Sequence, residues 1–192
     1  MKKVLTLIAL VVFTLIGCQE ADNPLSPVTD TNIQKYDDAQ PNWITLPKST
    51  NMSIEKNFSS KKNINGKIGG EVRVKAEYEG GIYGLVKIDA RIQFPKNAFW
   101  SKKDITLSID SQNGLTTFFP HMKFNKSAIY DLKIEGLDLR DVDVDNIDFV
   151  YQSPVGSIER VKYDKIKVDK LKGYIEVQKA HLNHFSRYGF VN

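Results

Sequence analysis

The chain has 192 residues, 41% of them hydrophobic, with 27 Lys and Arg against 23 Asp and Glu, three His and a single Cys. This composition predicts one folded domain. It excludes a disulfide scaffold and a Cys/His zinc site, because one thiol can neither close an intrachain bridge nor complete such a ligand set. The near balance of charge also argues against a nucleic-acid partner, for which a concentrated basic surface supplies most of the affinity.

The first 18 residues have the layout of an export signal. Lys2 and Lys3 precede an apolar run over residues 4–16 that is interrupted only by two Thr residues. At about 1.5 Å per residue, such a helix would span roughly 20 Å, which is less than the bilayer's hydrocarbon core of about 30 Å. The run therefore predicts the apolar part of a signal peptide and not a transmembrane helix.

Gly17 and Cys18 follow this run. Together with it they resemble the lipobox of bacterial lipoprotein precursors, in which a small residue precedes an obligatory cysteine. The resemblance implies a signal peptide over residues 1–17, a diacylglyceryl group on the Cys18 sulfur and acylation of the new amino group. An ordinary signal peptide with an incidental cysteine is the alternative. Gln19 stands where an inner-membrane retention signal would have Asp, so we expect a lipid-anchored protein of the bacterial cell envelope, at the outer membrane.

Residues 18–41 contain three prolines, many polar residues and almost no aliphatic periodicity, which indicates a flexible linker. As a coil, this length of chain reaches roughly 25 Å. Loss of residues 1–17 removes Lys2 and Lys3 from a net charge of +4 and leaves +2. We expect so small a net charge to be unable to drive binding to a membrane surface or a polyanion.

Segment 42–60 begins with the large apolar residues Trp43, Ile44 and Leu46, between Pro41 and Pro47. We expect it to dock on the domain as an edge strand, since large apolar side chains are usually covered and prolines are tolerated at sheet edges. In the alternative, Trp43 is an exposed contact residue.

From residue 61 onward, apolar and polar residues alternate with a period of two. The alternating stretches cover residues 71–78, 86–94, 105–110, 130–134, 147–151, 166–168 and 175–177. This pattern puts one face of each strand on a core and the other in water, so it predicts antiparallel sheets. Turn residues separate the stretches, and no window shows helical spacing. We therefore predict an all-β fold for residues 61–192, an antiparallel β-sandwich, with a barrel as the alternative.

Short landmarks carry a resemblance over roughly residues 64–190. They are Gly69-Gly70 before the first strong strand, the sequence Phe-Pro-Lys-Asn-Ala-Phe at 94–99, and His-Phe-Ser-Arg-Tyr at 184–188. These resemble the ZU-five domain, a β-sandwich shared by ankyrins and netrin receptors, and more closely the ZU-five-like domains of bacterial envelope lipoproteins. The resemblance implies a binding or structural module. Asn97 stands where the family usually has glycine, and Asn also tolerates a positive φ.

His184, Phe185 and Ser186 are similar to triplets at which some relatives, a nucleoporin and adhesion-receptor domains cut their own backbone. In that chemistry the Ser186 hydroxyl would attack the Phe185 carbonyl carbon, His184 would accept its proton, and water would open the ester. In the other interpretation Phe185 is a core residue, while His184 and Ser186 face outward or form local hydrogen bonds. We favour the second, because cleavage would release only residues 186–192.

Two charged clusters invite other functions. The acidic cluster consists of Asp141, Asp143, Asp145 and Asp148. It departs from a calcium loop, since Asn146 and Gln152 stand where that loop needs Gly and Glu, and we interpret it as a strand or strand start with a solvated acidic face. The basic cluster consists of Lys162, Lys165, Lys167, Lys170 and Lys172. Because Asp164 and Asp169 lie among these lysines, we interpret them as a solvated edge and not as a polyanion site.

The remaining candidates are scattered. Trp43, Tyr83 and Trp100 could stack on the sugar rings of a glycan if they are exposed, although core packing is the commoner fate of such side chains. His121 and His181 have no second ligand at metal spacing, so we expect local hydrogen bonds. The sequence contains no motif for a serine-hydrolase, phosphate-binding, metalloprotease or dinucleotide site, and we predict no cofactor and no metal.

Overall fold

The computed structural model describes residues 41–50 and 57–192. The predicted signal peptide, Cys18 and the linker before residue 41 lie outside the described residues. Within them the chain forms strands and one 3-10 helix (Lys170–Lys172) but no α-helix. The strands are β1 (Asn57–Asn65), β2 (Gly70–Glu79), β3 (Leu85–Phe94), β4 (Lys102–Asp110), β5 (Thr116–Phe119), β6 (Lys123–Glu135), β7 (Asp148–Gln152), β8 (Ile158–Arg160), β9 (Lys165–Asp169), β10 (Tyr174–His184) and β11 (Arg187–Val191).

The strands form two open sheets in which every pairing is antiparallel. The order in the six-stranded sheet is β1-β4-β5-β11-β7-β8, and the order in the five-stranded sheet is β2-β3-β6-β10-β9. This arrangement confirms the predicted all-β antiparallel sandwich. The barrel alternative is wrong, because neither sheet closes on itself.

The core lies between the sheets and follows the alternation in the sequence. In β3 the inward-facing residues Val86, Ile88, Ala90, Ile92 and Phe94 are at most 4% exposed, while the residues between them are exposed or half-buried. Burying a branched aliphatic side chain of this size stabilises a fold by about 1.5–3 kcal/mol. The period of two therefore fixes which face of each strand packs inward.

The alternation did not predict β1, β5, β8 or β11. β1 lies at a sheet edge, begins four residues before the expected domain start at 61, and is mostly polar. β11 lies between β5 and β7, and its neighbouring residues Phe190 and Val191 are both buried because both faces of this strand are covered. A strand covered on both faces shows no period of two.

The outer cover of β11 is the segment of residues 41–50. The Ile44 N–H donates to the Phe190 carbonyl oxygen at 3.0 Å, and Trp43 pairs with Val191 as an isolated bridge. A β-carbon on Gly189 would lie 3.1 Å from the Trp43 ring, so the bare glycine backbone makes room for the indole. Val150, Ile158 and Val191 complete this small second core, and Leu46, at 5% exposure, joins the main core.

The strand register gives the sandwich two distinct ends. The first, which we name the corner end, carries the turns at 66–69, 95–101, 120–122 and 153–157 and the crossing at 185–186. The second, the docking end, carries the turns at 80–84, 111–115, 136–147 and 170–173. The segment 41–50 contacts the docking end, where Ser49 pairs with Gly80.

Candidate functional site

The triplet His184-Phe185-Ser186 forms the crossing between the two sheets. His184 is the last residue of β10 in the five-stranded sheet, and Arg187 is the first residue of β11 in the six-stranded sheet. The chain must therefore turn from one layer to the other within Phe185 and Ser186. This position alone accounts for a buried aromatic residue in the middle of the triplet.

Phe185 is a core residue at 3% exposure. Its ring stacks on Phe118 with centroids 5.1 Å apart and packs edge-on against Phe124 at 4.8 Å. Its N–H donates to the Met122 carbonyl oxygen at 2.9 Å. Such aromatic pairs add about 0.5–1.5 kcal/mol each beyond the area that they bury, so Phe185 holds the crossing in place.

Ser186 is 4% exposed and is tied to its neighbours by both of its oxygens. Its hydroxyl donates to the Gln152 carbonyl oxygen at 3.2 Å, and its carbonyl oxygen accepts from the Phe118 N–H at 3.2 Å. The hydrogen-bond acceptor that the fold offers this hydroxyl is thus the Gln152 carbonyl oxygen and not the His184 ring. Activation by His184 would require the Ser186 side chain to leave this bond.

His184 is half-buried among tyrosines. Its ring packs at 4.5 Å against that of Tyr151, and the Tyr188 hydroxyl donates to the His184 carbonyl oxygen at 2.7 Å. Burial lowers the pKa of His184, the opposing influence of Glu159 being smaller. A neutral imidazole can accept a proton. The hydroxyl group within hydrogen-bond reach of the His184 ring is that of Tyr188, whose oxygen lies 3.4 Å from Nδ1.

His121 is the residue that sequence reasoning did not connect with the triplet. Its Nδ1 lies 3.4 Å from the carbonyl oxygen of Phe185, the carbonyl that a self-cleavage reaction would attack. Its ring also contacts Phe119 at 5.2 Å. The two residues are 64 positions apart along the chain, so only the fold brings them together. His121 therefore forms a hydrogen bond, as expected, but a long-range one and not the local bond that was predicted.

The three candidate sugar-stacking residues do not form one surface. Trp43 is half-buried on Gly189, Tyr83 packs against the loop at Gly173 on the docking end, and Trp100 is 69% exposed on the corner end. The Tyr83 hydroxyl is further engaged, since it donates to the Lys170 carbonyl oxygen at 3.0 Å. Of the three, Trp100 is the aromatic side chain that is most available to a partner.

The acidic cluster lies in turns between β6 and β7, so of its two interpretations the strand is wrong for residues 141–146, while the strand start fits, since Asp148 begins β7. The reason is local: the Asp143 carboxylate accepts from the Asp145 N–H at 3.1 Å and from the Asn146 side chain at 2.6 Å, which stabilises a turn. Asp148 begins β7, is buried, and accepts from the Tyr163 hydroxyl at 2.8 Å. Within residues 41–50 and 57–192, no three His, Cys, Asp or Glu side chains are placed to hold a metal ion.

Most charged side chains on the outer face of the five-stranded sheet are paired with one of opposite sign, although Lys165 on the β9 edge has no ion pair with a described acidic side chain. Arg73 binds Asp89, Arg91 binds Asp131 and Lys167 binds Glu176, while Lys133 and Glu135 pair at 2.8 Å. Two shallow depressions of about 320 and 470 Å³ on this face share Glu135 in their linings. Because neighbouring charges of opposite sign neutralise each other here, this face offers no concentrated field to a ligand.

Charges at the corner end are not paired in this way, and sequence reasoning missed them. Exposed cations collect there on five different turns or strand ends: Lys67, Lys96, Lys102, Lys103, Lys123, Lys126 and Arg187. None of them takes part in an ion pair with any described acidic side chain. A high density of lysines in turns was the one signal in the sequence, but only the register shows that these turns share an end.

The docking end carries more acidic than basic side chains, although Lys170 and Lys172 lie in its turn at 170–173. Its exposed turn at 136–147 carries Asp138, Asp141, Asp143 and Asp145 against Arg140, which pairs with Asp138. Glu79 lies at the neighbouring end of β2. The net charge of the chain therefore conceals two oppositely charged ends, and the corner end is the strongest candidate surface for a partner.

Comparison of the chain with protein-family models, with curated proteins and with solved structures found no match. None of the helices in the described parts of the chain is long and apolar enough to cross a membrane.

Proposed function

We propose that this protein is a lipid-anchored component of the bacterial cell envelope whose β-sandwich acts as a binding module. One observation carries the proposal: the only cysteine of the chain, Cys18, directly follows Gly17 at the end of a basic and then apolar N-terminal stretch. A compact β-sandwich that begins some 40 residues later supports the same organisation. The resemblance to ZU-five-like envelope domains agrees with it.

The physical basis of the anchor is the burial of acyl chains. Each buried methylene contributes about 0.8 kcal/mol, so one chain binds weakly while two or three hold a protein firmly on a bilayer. The predicted linker would separate the sandwich from the headgroups. The sandwich can then meet a partner while the lipid confines it to one membrane surface.

The role as a binding module is supported by the uneven surface. The five-stranded sheet presents paired charges, whereas the corner end presents exposed cations beside the exposed Trp100. Strongly charged and apolar groups that the fold leaves unpaired are typical of an interaction surface. A purely structural spacer does not need them.

Metabolic labelling with an alkyne fatty acid tests the anchor. We expect the wild-type protein to take up the label and to sediment with membranes, and the Cys18→Ser variant to lose both properties. Ser26→Ala, a change of similar size outside the motif, is the matched control and should behave as wild type. An unlabelled wild-type protein, or a Cys18→Ser variant that still sediments with membranes, would contradict the proposal.

A second variant tests the membrane. Gln19→Asp should leave labelling intact and move the protein from the outer-membrane to the inner-membrane fraction of a density gradient. A wild-type protein already found in the inner-membrane fraction would overturn the outer-membrane location but not the anchor.

A further inference from the structure

We infer that the corner end binds the surface of an anionic lipid bilayer, with its cations at the headgroups and the side chains of Ile68 and Trp100 between them. The inference rests on the proposed function for the membrane that this end meets, but its evidence lies in the charge and the exposure of the corner end itself.

The corner end carries an excess of positive charge. Seven exposed cations lie on the turns and strand ends of the corner end: Lys67, Lys96, Lys102, Lys103, Lys123, Lys126 and Arg187. The acidic residue Asp104, which lies beside them, already pairs with Lys61 at 3.0 Å. Because the cations have no described acidic partner, their field extends into solvent over about a Debye length, roughly 8–10 Å. An anionic surface is the complement of that field.

The turns of the corner end also expose apolar side chains. Ile68 is 73% exposed, Trp100 is 69% exposed and Val155 is 91% exposed, each at the tip of a turn of the corner end. A free polyanion or a nucleic acid would give an exposed isoleucine or valine no favourable contact. A bilayer interface does, since aliphatic groups insert below the headgroups and Trp is enriched at their level. The combination of cations and apolar tips therefore favours a lipid surface.

Backbone hydrogen bonds connect the loops that carry these apolar side chains. The Gly66 N–H donates to the Ser101 carbonyl oxygen at 3.1 Å, which joins the turn of Ile68 to the loop of Trp100. The Asn125 N–H donates to the Ala98 carbonyl oxygen at 2.8 Å, which joins that loop to the start of β6. Hydrogen bonds thus join the loops of Ile68 and Trp100 to each other and to β6. Because these loops are already ordered, binding would cost little conformational entropy.

The docking end provides the internal contrast. Leu171 is 89% exposed there, so apolar exposure is similar at both ends. It lies between Lys170 and Lys172, but Lys172 pairs with Asp169, and the turn at 136–147 adds four carboxylates against one arginine. An anionic bilayer would repel that turn. The sandwich should therefore approach such a surface with the corner end. The predicted linker over residues 18–41 has 24 residues and spans up to roughly 80 Å when stretched, so it can reach past a strand as long as β6, about 43 Å.

The test uses the full-length lipidated protein, extracted from cells and reconstituted into vesicles. Because lipidation consumes the only cysteine, Ile68→Cys introduces a single reactive thiol for an environment-sensitive fluorophore. In vesicles of phosphatidylcholine with phosphatidylglycerol, we expect a lipid-borne quencher to quench this probe. In phosphatidylcholine alone, and at high salt, quenching should be lost.

The matched controls exploit the other end. Leu171→Cys carries the same probe at similar exposure on the docking end and should stay unquenched. Lys67→Glu with Lys102→Glu should reduce quenching of the Ile68 probe roughly tenfold or more, since each lysine near an anionic surface contributes a factor of about five. Lys48→Glu with Lys172→Glu makes the same charge change at the docking end and should leave quenching unchanged.

Three outcomes would overturn the inference: an unquenched Ile68 probe, equal quenching at both positions, or quenching that does not depend on anionic lipid. An Ile68 probe that responds to a soluble anionic polysaccharide and not to vesicles would also overturn it, in favour of a glycan. Flotation separates this result from failure of the anchor. Protein that floats with vesicles while the probe stays in water contradicts only the present inference, whereas protein that does not float contradicts the proposed function.

Discussion

The two ends of the sandwich are built by different means. The corner end is closed by aromatic packing, with Phe185 at the centre of the crossing between sheets and cations on the outside. The docking end is closed by glycine-containing turns and by the segment 41–50, with acidic residues outside. A small net charge therefore does not describe a surface. Glycines at which a β-carbon would meet backbone occur at both ends, Gly66 and Gly69 at the corner end and Gly173 at the docking end, so the aromatic cluster and the charges are what distinguish the two.

Phe185→Ala should show the largest effect, because it removes the ring that packs against Phe118 and Phe124 and leaves a cavity at the crossing. We expect a loss of about 3–5 kcal/mol in the free energy of unfolding, measured by urea denaturation. Phe119→Ala, at 46% exposure on the same end, is the control and should cost about 1 kcal/mol or less. Similar losses for the two variants would show that the crossing is not held by its aromatic core.

Gly173→Ala is the matching change at the docking end. Gly173 has φ of 58°, and a β-carbon there would lie 2.1 Å from the Leu137 carbonyl oxygen, so backbone must move. We expect a loss of about 3 kcal/mol. Gly84→Ala has φ of 78° but meets nothing within 4 Å, so it should cost only the left-handed conformation, about 1–2 kcal/mol. Equal losses would show that the left-handed conformation, and not the close approach of the Leu137 backbone, accounts for the cost at Gly173.

Trp43→Ala tests how the docked segment is held. The variant uncovers Gly189 and the small core of Val150, Ile158 and Val191, which should cost about 2 kcal/mol. Faster cleavage of the chain near residue 50 by a protease, under native conditions, should accompany the loss. Thr45→Ala, an exposed position in the same segment, should change neither quantity. Unchanged cleavage of the Trp43 variant would show that other contacts retain the segment.

The smallest expected effect is a pH dependence at the corner end. Burial lowers the pKa of His184, with a smaller opposing influence of Glu159 and a smaller supporting one of Lys123. The unfolded chain therefore binds a proton at His184 more readily than the folded chain does. The contribution of neutral His184 to the free energy of unfolding is complete above the pKa of the unfolded chain, about 6.5. It falls as the pH drops from there to the lower pKa of the folded protein.

Melting temperatures between pH 7.5 and pH 5 check this sign. We expect the wild-type protein to lose stability over that interval, and His184→Gln to lose less of it. Asn183→Gln, an exposed position next to His184 on β10 that does not titrate, should follow the wild-type curve. A His184→Gln curve parallel to that of the wild type would remove His184 as the source.

Sequence patterns predicted the strands whose environment differs between their two faces. The alternating residues of β3 and β10 are examples, and there the period of two directly reports burial. The patterns failed for β11, where the segment 41–50 covers the second face, and for the turn at 141–146, where the Asp143 side chain outweighs the alternation of Val and Asp. In each case a contact that is not periodic determined the structure.

The surface was harder to predict than the core. Almost thirty residues separate Lys67 from Lys96, and almost thirty separate Lys96 from Lys123, so a window the length of one strand never contains two of them. Only the pairing of the strands brings their turns to one end. The proximity of His121 to the Phe185 carbonyl has the same origin. Clusters formed by topology leave no local pattern.

The Asn192 N–H donates to the Asn42 carbonyl oxygen at 3.0 Å, so the chain enters and leaves the sandwich at adjacent points of the docking end. Joining these points with a short peptide and opening the hairpin at Gly156, whose surroundings are empty within 4 Å, would give a circularly permuted protein with the same sheets. In such a permutant the new termini would emerge from the corner end, so an anchor attached to them would hold that end against the membrane without a linker that spans the length of the sandwich.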